Sequence, residues 1–80
     1  MDLEEELIIL SKADEMFKKL GYHKLQAVGL QECAYSNGKG KEIIFSQIKR
    51  IGLYGIYQWV TLDELQAINQ KCKELGWLDE

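Results

Sequence analysis

The sequence predicts an α+β domain of two layers, a three-stranded antiparallel meander flanked by an N-terminal and a C-terminal helix in the order α-β-β-β-α. Three observations carry this. Apolar residues recur at steps of three and four near both ends, the spacing of one helix face. Residues 30–60 turn instead to β-branched and aromatic types, partly in alternation. The stretches SNGKG (36–40) and IKRIG (48–52) divide that region into three runs.

The first helix is expected over residues 3–20, because Leu3, Leu7, Leu10, Ala13, Phe17 and Leu20 form one stripe. Asp2 is placed as its N-cap. Glu4, Glu5 and Glu6 lie where the helix dipole favours negative charge, and Lys18 and Lys19 where it favours positive charge. Ser11, followed by Asp14 and Glu15, offers a second start inside the segment, so a break near Ser11 is compatible with the pattern. Ile8, Ile9 and Met16 fall off the stripe and widen the apolar face toward a second chain. In the last segment Thr61 and Glu64 form a capping box, after which Leu65, Ile68, Cys72 and Leu75 share a face.

FKKLGY (17–22) and CKELGW (72–77) echo each other. Both read as glycine-capped helix ends, with Gly21 and Gly76 in the left-handed position. The motif predicts that Phe17 meets Tyr22. Trp77, opposite the small Cys72, is expected to reach toward the sheet.

Between the helices the strands are LQECAYS, KEIIFSQI and LYGIYQWV (30–36, 41–48 and 53–60). Residues 22–29 are ambiguous, and Gly29 either begins the first strand or interrupts a longer one. Parity constrains the first hairpin. Cys33 and Tyr35 share one face, as do Ile43 and Phe45, and the two sets meet only across an odd-numbered loop. A three- or five-residue loop follows, with Gly38 or Gly40 at positive φ. In the third strand Leu53, Tyr57 and Trp59 fall on one face and Tyr54, Ile56 and Val60 on the other. Both sets are apolar. Two helices cover one face, so the other shows aromatic surface to solvent unless the N-terminal helix or residues 22–29 fold over it.

Eighty residues make one domain, nearly half apolar and with mixed charges, which is a folding composition with a small core. Dimerisation would add burial. Cys33 and Cys72 are far apart in sequence and form no CxxC motif, and His23 is the sole histidine, so neither a metal nor a cofactor is expected. Both cysteines are assigned to the core of a protein in a reducing compartment. The acidic start MDLEEEL lacks the basic opening of a signal peptide, and no apolar run reaches the roughly 20 residues of a membrane span.

No catalytic constellation is apparent. Glu32 and Glu42 fall on the outer side of the hairpin, the cysteines on core faces away from His23, and NGKGK joins two strands rather than a strand and a helix. Charge is uneven beneath a net −3: Lys18 to Arg50 holds seven basic residues against two acidic ones. Lys39, Lys41, Lys49 and Arg50 cluster at the hairpin loops near the third-strand aromatics, the composition of a small single-stranded nucleic-acid binder. Overall acidity weighs against that alternative. Asp2, Glu4, Glu5, Glu6, Asp14 and Glu15 offer an acidic helix face to a basic partner, though they also suit a solvated helix start.

ADEMFKKLGY, KEIIF and TLDELQAINQKCKELGW together resemble the small uncharacterised proteins of phages and prophages of Gram-positive bacteria. The resemblance spans nearly the whole chain. It implies a compact α-β-β-β-α domain, a mobile-element origin, and residence in the cytoplasm of a bacterial host cell. It carries across no catalytic residues. Accessory factors of this size and origin include inhibitors of host defence such as anti-CRISPR proteins, an analogy of size rather than motif. The sequence is therefore read as a non-enzymatic binder of a host or phage protein, and as a homodimer candidate. Tyr54, Ile56, Tyr57 and Trp59 are the contact residues.

Overall fold

Ser11 opens the first helix among the described residues. In the computed structural model, which describes residues 11–55 and 58–78, the Ser11 backbone is extended and its Oγ accepts the Asp14 amide at 3.0 Å. Helix α1 (Lys12–Lys19) follows, then β1 (His23–Leu25), β2 (Gln31–Ser36), β3 (Lys41–Ser46), β4 (Ile51–Gly55) and α2 (Leu62–Glu74). The internal start at Ser11 is thus used. The Asp2 cap and the stripe positions Leu3, Leu7 and Leu10 lie outside the described residues.

Both helix ends follow the expected motif. The Tyr22 amide donates to Phe17 O and the Gly21 amide to Lys18 O, and Trp77 and Gly76 repeat the pattern on Cys72 and Lys73. Gly21 sits at φ 92°, a conformation that a side chain would strain. Phe17 and Tyr22 meet edge to face with ring centres 5.8 Å apart. Trp77 reaches the sheet, 6.1 Å from the Phe45 ring.

The sheet has four strands in the order β1-β2-β3-β4, all antiparallel, where three were predicted. The addition is β1. Its residues His23, Lys24 and Leu25 show no apolar alternation, and they become a strand by pairing with Ser36, Tyr35 and Ala34 at the open edge of β2. Residues 23–25 therefore extend the sheet rather than covering its second face. The first hairpin obeys the parity rule. Ser36 pairs with Glu42, and the Asn37 amide donates to Lys41 O, so the loop proper is the three residues 38–40. Gly38 and Gly40 both have positive φ.

Cross-strand rows define two faces. Lys24, Tyr35, Ile43 and Leu53 form one inner row; Cys33, Phe45 and Ile51 form the next. Against these pack Phe17, Tyr22, Ala67, Ile68 and Cys72, with Met16, Leu20, Val60, Leu75 and Trp77 at the margin. Both helices thus cover the same face. Phe17 stacks on Tyr35 at 4.1 Å and meets Phe45 edge-on. Each of these fully buried side chains contributes about 2 kcal/mol through burial. Cys33 and Cys72 are free, buried thiols, and burial raises both above the usual thiol range.

Two expectations about packing are corrected. Leu65, placed on the buried stripe of α2, is 49% exposed; the buried residues are Ala67, Ile68, Lys71 and Cys72. The helix is turned so that Glu64 and Lys71 face inward, where each finds an ionic partner. Strand β4 ends at Gly55 rather than continuing to Val60. Gly55 has φ 131°, outside the strand range, a Cβ there would lie 1.9 Å from Gly40 O, and residues 58–60 are not strand. The alternation is broken, and Val60 packs on the core alongside Leu53 instead of sharing the face of Tyr54.

Candidate functional site

The outer face of the sheet carries two rows. One is Leu25, Ala34, Ile44 and Gly52; the other is His23, Ser36, Glu42 and Tyr54. Among the described residues no helix lies on this side. Tyr54 is 57% exposed and folds back over Gly52, where a Cβ would come within 2.6 Å of its ring. With Gly40, Glu42 and Gly55 it lines a shallow depression of about 230 Å³. Trp59 is 63% exposed, and its carbonyl accepts from the Lys41 ammonium. Of the four predicted contact residues these two are exposed in the structure; Ile56 and Tyr57 lie outside the described residues.

The four basic residues do not form one track. Successive hairpins of a meander turn at opposite ends of the sheet. Lys39 lies in the loop before β3, and Lys49 and Arg50 in the loop after it. The length of β3 alone separates the loops by about 17 Å. Lys41 is drawn into an internal ion pair. It shares the inner parity of Ile43 and Phe45, its side chain is 12% exposed, and its ammonium lies 2.9 Å from Glu64 Oε1. The expected clustering at the loops is therefore replaced by two separate exposed groups and one internal ion pair.

Glu64 organises that end of the molecule. Its Oε1 also accepts the Thr61 amide, closing the capping box, and its Oε2 accepts the Tyr22 hydroxyl at 2.9 Å. Burial raises the Glu64 pKa, but the bonds from Lys41, Thr61 and Tyr22 outweigh it, and the carboxyl sits below its ordinary value. The Tyr22 hydroxyl is pushed up by burial and by the adjacent carboxylate.

A second polar centre lies beneath α1. Asp14 accepts from the Tyr35 hydroxyl at 2.5 Å, pairs with Lys24 at 3.4 Å and with the buried Lys71 at 3.7 Å. Burial opposes ionisation of Asp14; these three partners overcome it and lower its pKa. Tyr35 is raised by burial and by the Asp14 carboxylate. Glu74 joins the centre, 3.9 Å from Lys71, and accepts the Ala13 amide at 2.9 Å. These bonds, against burial, also hold Glu74 low. Beside this centre Asp14, Lys18, Tyr22, His23, Lys24 and Tyr35 line a cavity of about 210 Å³.

Sequence reasoning missed this centre, although one signal was present. Lys71 falls three residues after Ile68 and one before Cys72, inside the apolar stripe, where a lysine needs a buried carboxylate. Asp14 is engaged by Tyr35 through one oxygen and by Lys24 through the other, with Lys71 beside them, so the centre ties α1, α2, β1 and β2 together. Among the described residues no three His, Cys, Asp or Glu side chains converge as a metal site, and no helix is long and apolar enough to cross a membrane. No protein-family model, curated protein or solved structure matches the chain, so the site is defined by its own geometry.

Proposed function

We propose that the domain is a non-enzymatic binding module for another protein, and that the surface carrying Tyr54 and Trp59 makes the contact. The observation behind this is the pair of large aromatic side chains left more than half exposed in a small chain that buries its other tyrosines with known positions, Tyr22 and Tyr35. The depression beside Tyr54 joins a flat ring to the Glu42 carboxylate. A partner side chain with a cationic head on an apolar stem fits both. The resemblance to small phage and prophage proteins gives the proposal its setting: a host or phage protein met in the bacterial cytoplasm, with host-defence complexes, the targets of anti-CRISPR proteins, as the first class to try.

The test compares the wild-type chain with Tyr54→Ala, Trp59→Ala and the double variant as baits in host lysate, each first shown to fold by circular dichroism. A specific protein retained by the wild type and lost by the double variant is the expected result. Equal retention by all four chains would remove these residues from the interface. Binding to single-stranded nucleic acid, the alternative, calls for a salt-sensitive mobility shift abolished by changing Lys39, Lys49 and Arg50 together. The distance between the two loops argues against it.

A further inference from the structure

We propose that the cavity between α1 and β1 is a binding site for a small organic oxyanion, a carboxylate or phosphate carried on an apolar body the size of one ring. It is separate from the surface of the proposal above. Strands β1 and β4 are the opposite edges of the sheet, three strand spacings or about 14 Å apart.

Two elements build the cavity. The chain turns at Gly21 between α1 and β1, and the Lys24–Asp14 ion pair holds the edge strand alongside the helix. Asp14 and Lys18 stand one helical turn apart on the same side of α1, and His23 and Lys24 open β1. Tyr22 and Tyr35 complete the wall. Their hydroxyls are committed to Glu64 and Asp14, so what they offer a ligand is ring surface.

Charge decides the sign of that ligand. Among the described residues no hydrogen bond or ion pair engages Lys18 or His23. Lys24 is half exposed, and its 3.4 Å bond to Asp14 leaves two of its three protons to spare. The only carboxylate of the wall is already matched. Asp14 accepts from Tyr35 on one oxygen and from Lys24 on the other, with Lys71 3.7 Å away. Two ammonium groups and an imidazole, which donates one N–H even when neutral, therefore line a space with no uncommitted acceptor. An oxyanion meets these donors while its body lies on the tyrosine rings. Size sets the rest. The volume is about 210 Å³, below the roughly 300–1,000 Å³ of sites for drug-sized ligands. It equals about seven waters at their liquid volume, which suits one ring with one oxyanion and excludes a nucleotide.

Titration of the isotope-labelled full chain with benzoate, phenyl phosphate and benzyl alcohol, followed by amide NMR shifts, tests the site. At least one anion should move the Lys18, His23, Lys24 and Tyr35 amides and saturate with a Kd near about 1 mM, the affinity a ligand of this size commonly reaches. The ratio of the two anions tells which oxyanion the site takes. Benzyl alcohol, a ring of the same size without charge, should bind about tenfold more weakly or less. Lys18→Gln with His23→Gln removes donors that bond nothing else among the described residues, so the fold should persist and the anion should lose about tenfold while the alcohol does not change. Should that double variant fail to fold, the comparison of charged and neutral rings in the wild-type chain decides. Shifts confined to another region, no saturation by about 20 mM, or equal binding of anion and alcohol overturns the inference. Loss of the captured protein on the same double variant would assign the cavity to an acidic side chain of that partner and likewise overturn it. Capture through Tyr54 and Trp59 stands or falls independently of the titration.

Discussion

Glu64→Ala offers the sharpest test of how the C-terminal helix is fastened to the sheet. The substitution removes three hydrogen bonds at once: from the Tyr22 hydroxyl, the Lys41 ammonium and the Thr61 amide. Tyr22 is 3% exposed, so its hydroxyl cannot turn to water, and an orphaned buried donor costs about 1–3 kcal/mol. Lys41 keeps the Trp59 carbonyl but loses its charged acceptor, worth about 1.5 kcal/mol at the low end of charge-assisted bonds. Thr61 is exposed, and water replaces most of what its amide loses. Together the loss is about 3 kcal/mol, a large part of the stability of a domain this size. Urea unfolding should show the midpoint falling with the slope unchanged. Tyr22→Phe, costly in the wild type, should cost little in the Glu64→Ala background, with a coupling of about 1–2 kcal/mol. A Glu64→Ala change below about 0.5 kcal/mol, or equal Tyr22→Phe costs in both backgrounds, would refute the claim that one carboxylate ties cap, strand and tyrosine together.

Other outcomes follow from the same geometry. Gly55→Ala should cost about 2–4 kcal/mol, because its Cβ meets the Gly40 carbonyl at a strained φ, whereas Gly29→Ala meets nothing and should cost about 1 kcal/mol, both read by thermal melting. Lys71→Met should change stability by less than about 1 kcal/mol, since Asp14 retains Tyr35 and Lys24, but Asp14→Ala leaves the buried lysine with the more distant Glu74 alone and the Tyr35 hydroxyl without its acceptor, and should cost about 3 kcal/mol. The opposite ranking in denaturant titrations would contradict the assignment of Asp14 as the centre. Asp14, Glu64 and Glu74 have carboxyl pKa values lowered by folding, so the stability they add is present above the ordinary carboxylate range and is lost as pH falls below about 4. The buried thiols of Cys33 and Cys72 are raised, so their contribution is full below about pH 8.5 and declines above it as the unfolded chain ionises first.

What could be read from the sequence was local. The Thr61–Glu64 box, the Gly21 and Gly76 stops and the loop parity of the first hairpin each depend on residues within a few positions of one another, and each appears in the structure. The strand β1 was not legible because its own residues do not specify it; the open edge of β2 does. Lys41 looked like a surface cation because loops gather lysines, yet its parity with Ile43 already placed it inside. The buried group of Asp14, Tyr35 and Lys71 joins residues from three elements, and no short-range pattern announces it. Val60 was put on the wrong side because alternation was carried through Gly55, where the backbone leaves the strand conformation. Tyr54 and Trp59, which alternation assigns to opposite faces of one strand, are both exposed, and Trp59 lies beyond β4.

The central claim is that exposed aromatic surface at and beyond β4 exists to bind a protein. Its most direct measurement is the affinity of the purified captured protein for the wild-type chain and for the folded Tyr54→Ala/Trp59→Ala double variant, by isothermal titration calorimetry. Truncating two such anchors should weaken binding by at least about 2 kcal/mol, some thirtyfold or more. Indistinguishable affinities, with both chains melting at the same temperature, would contradict the account.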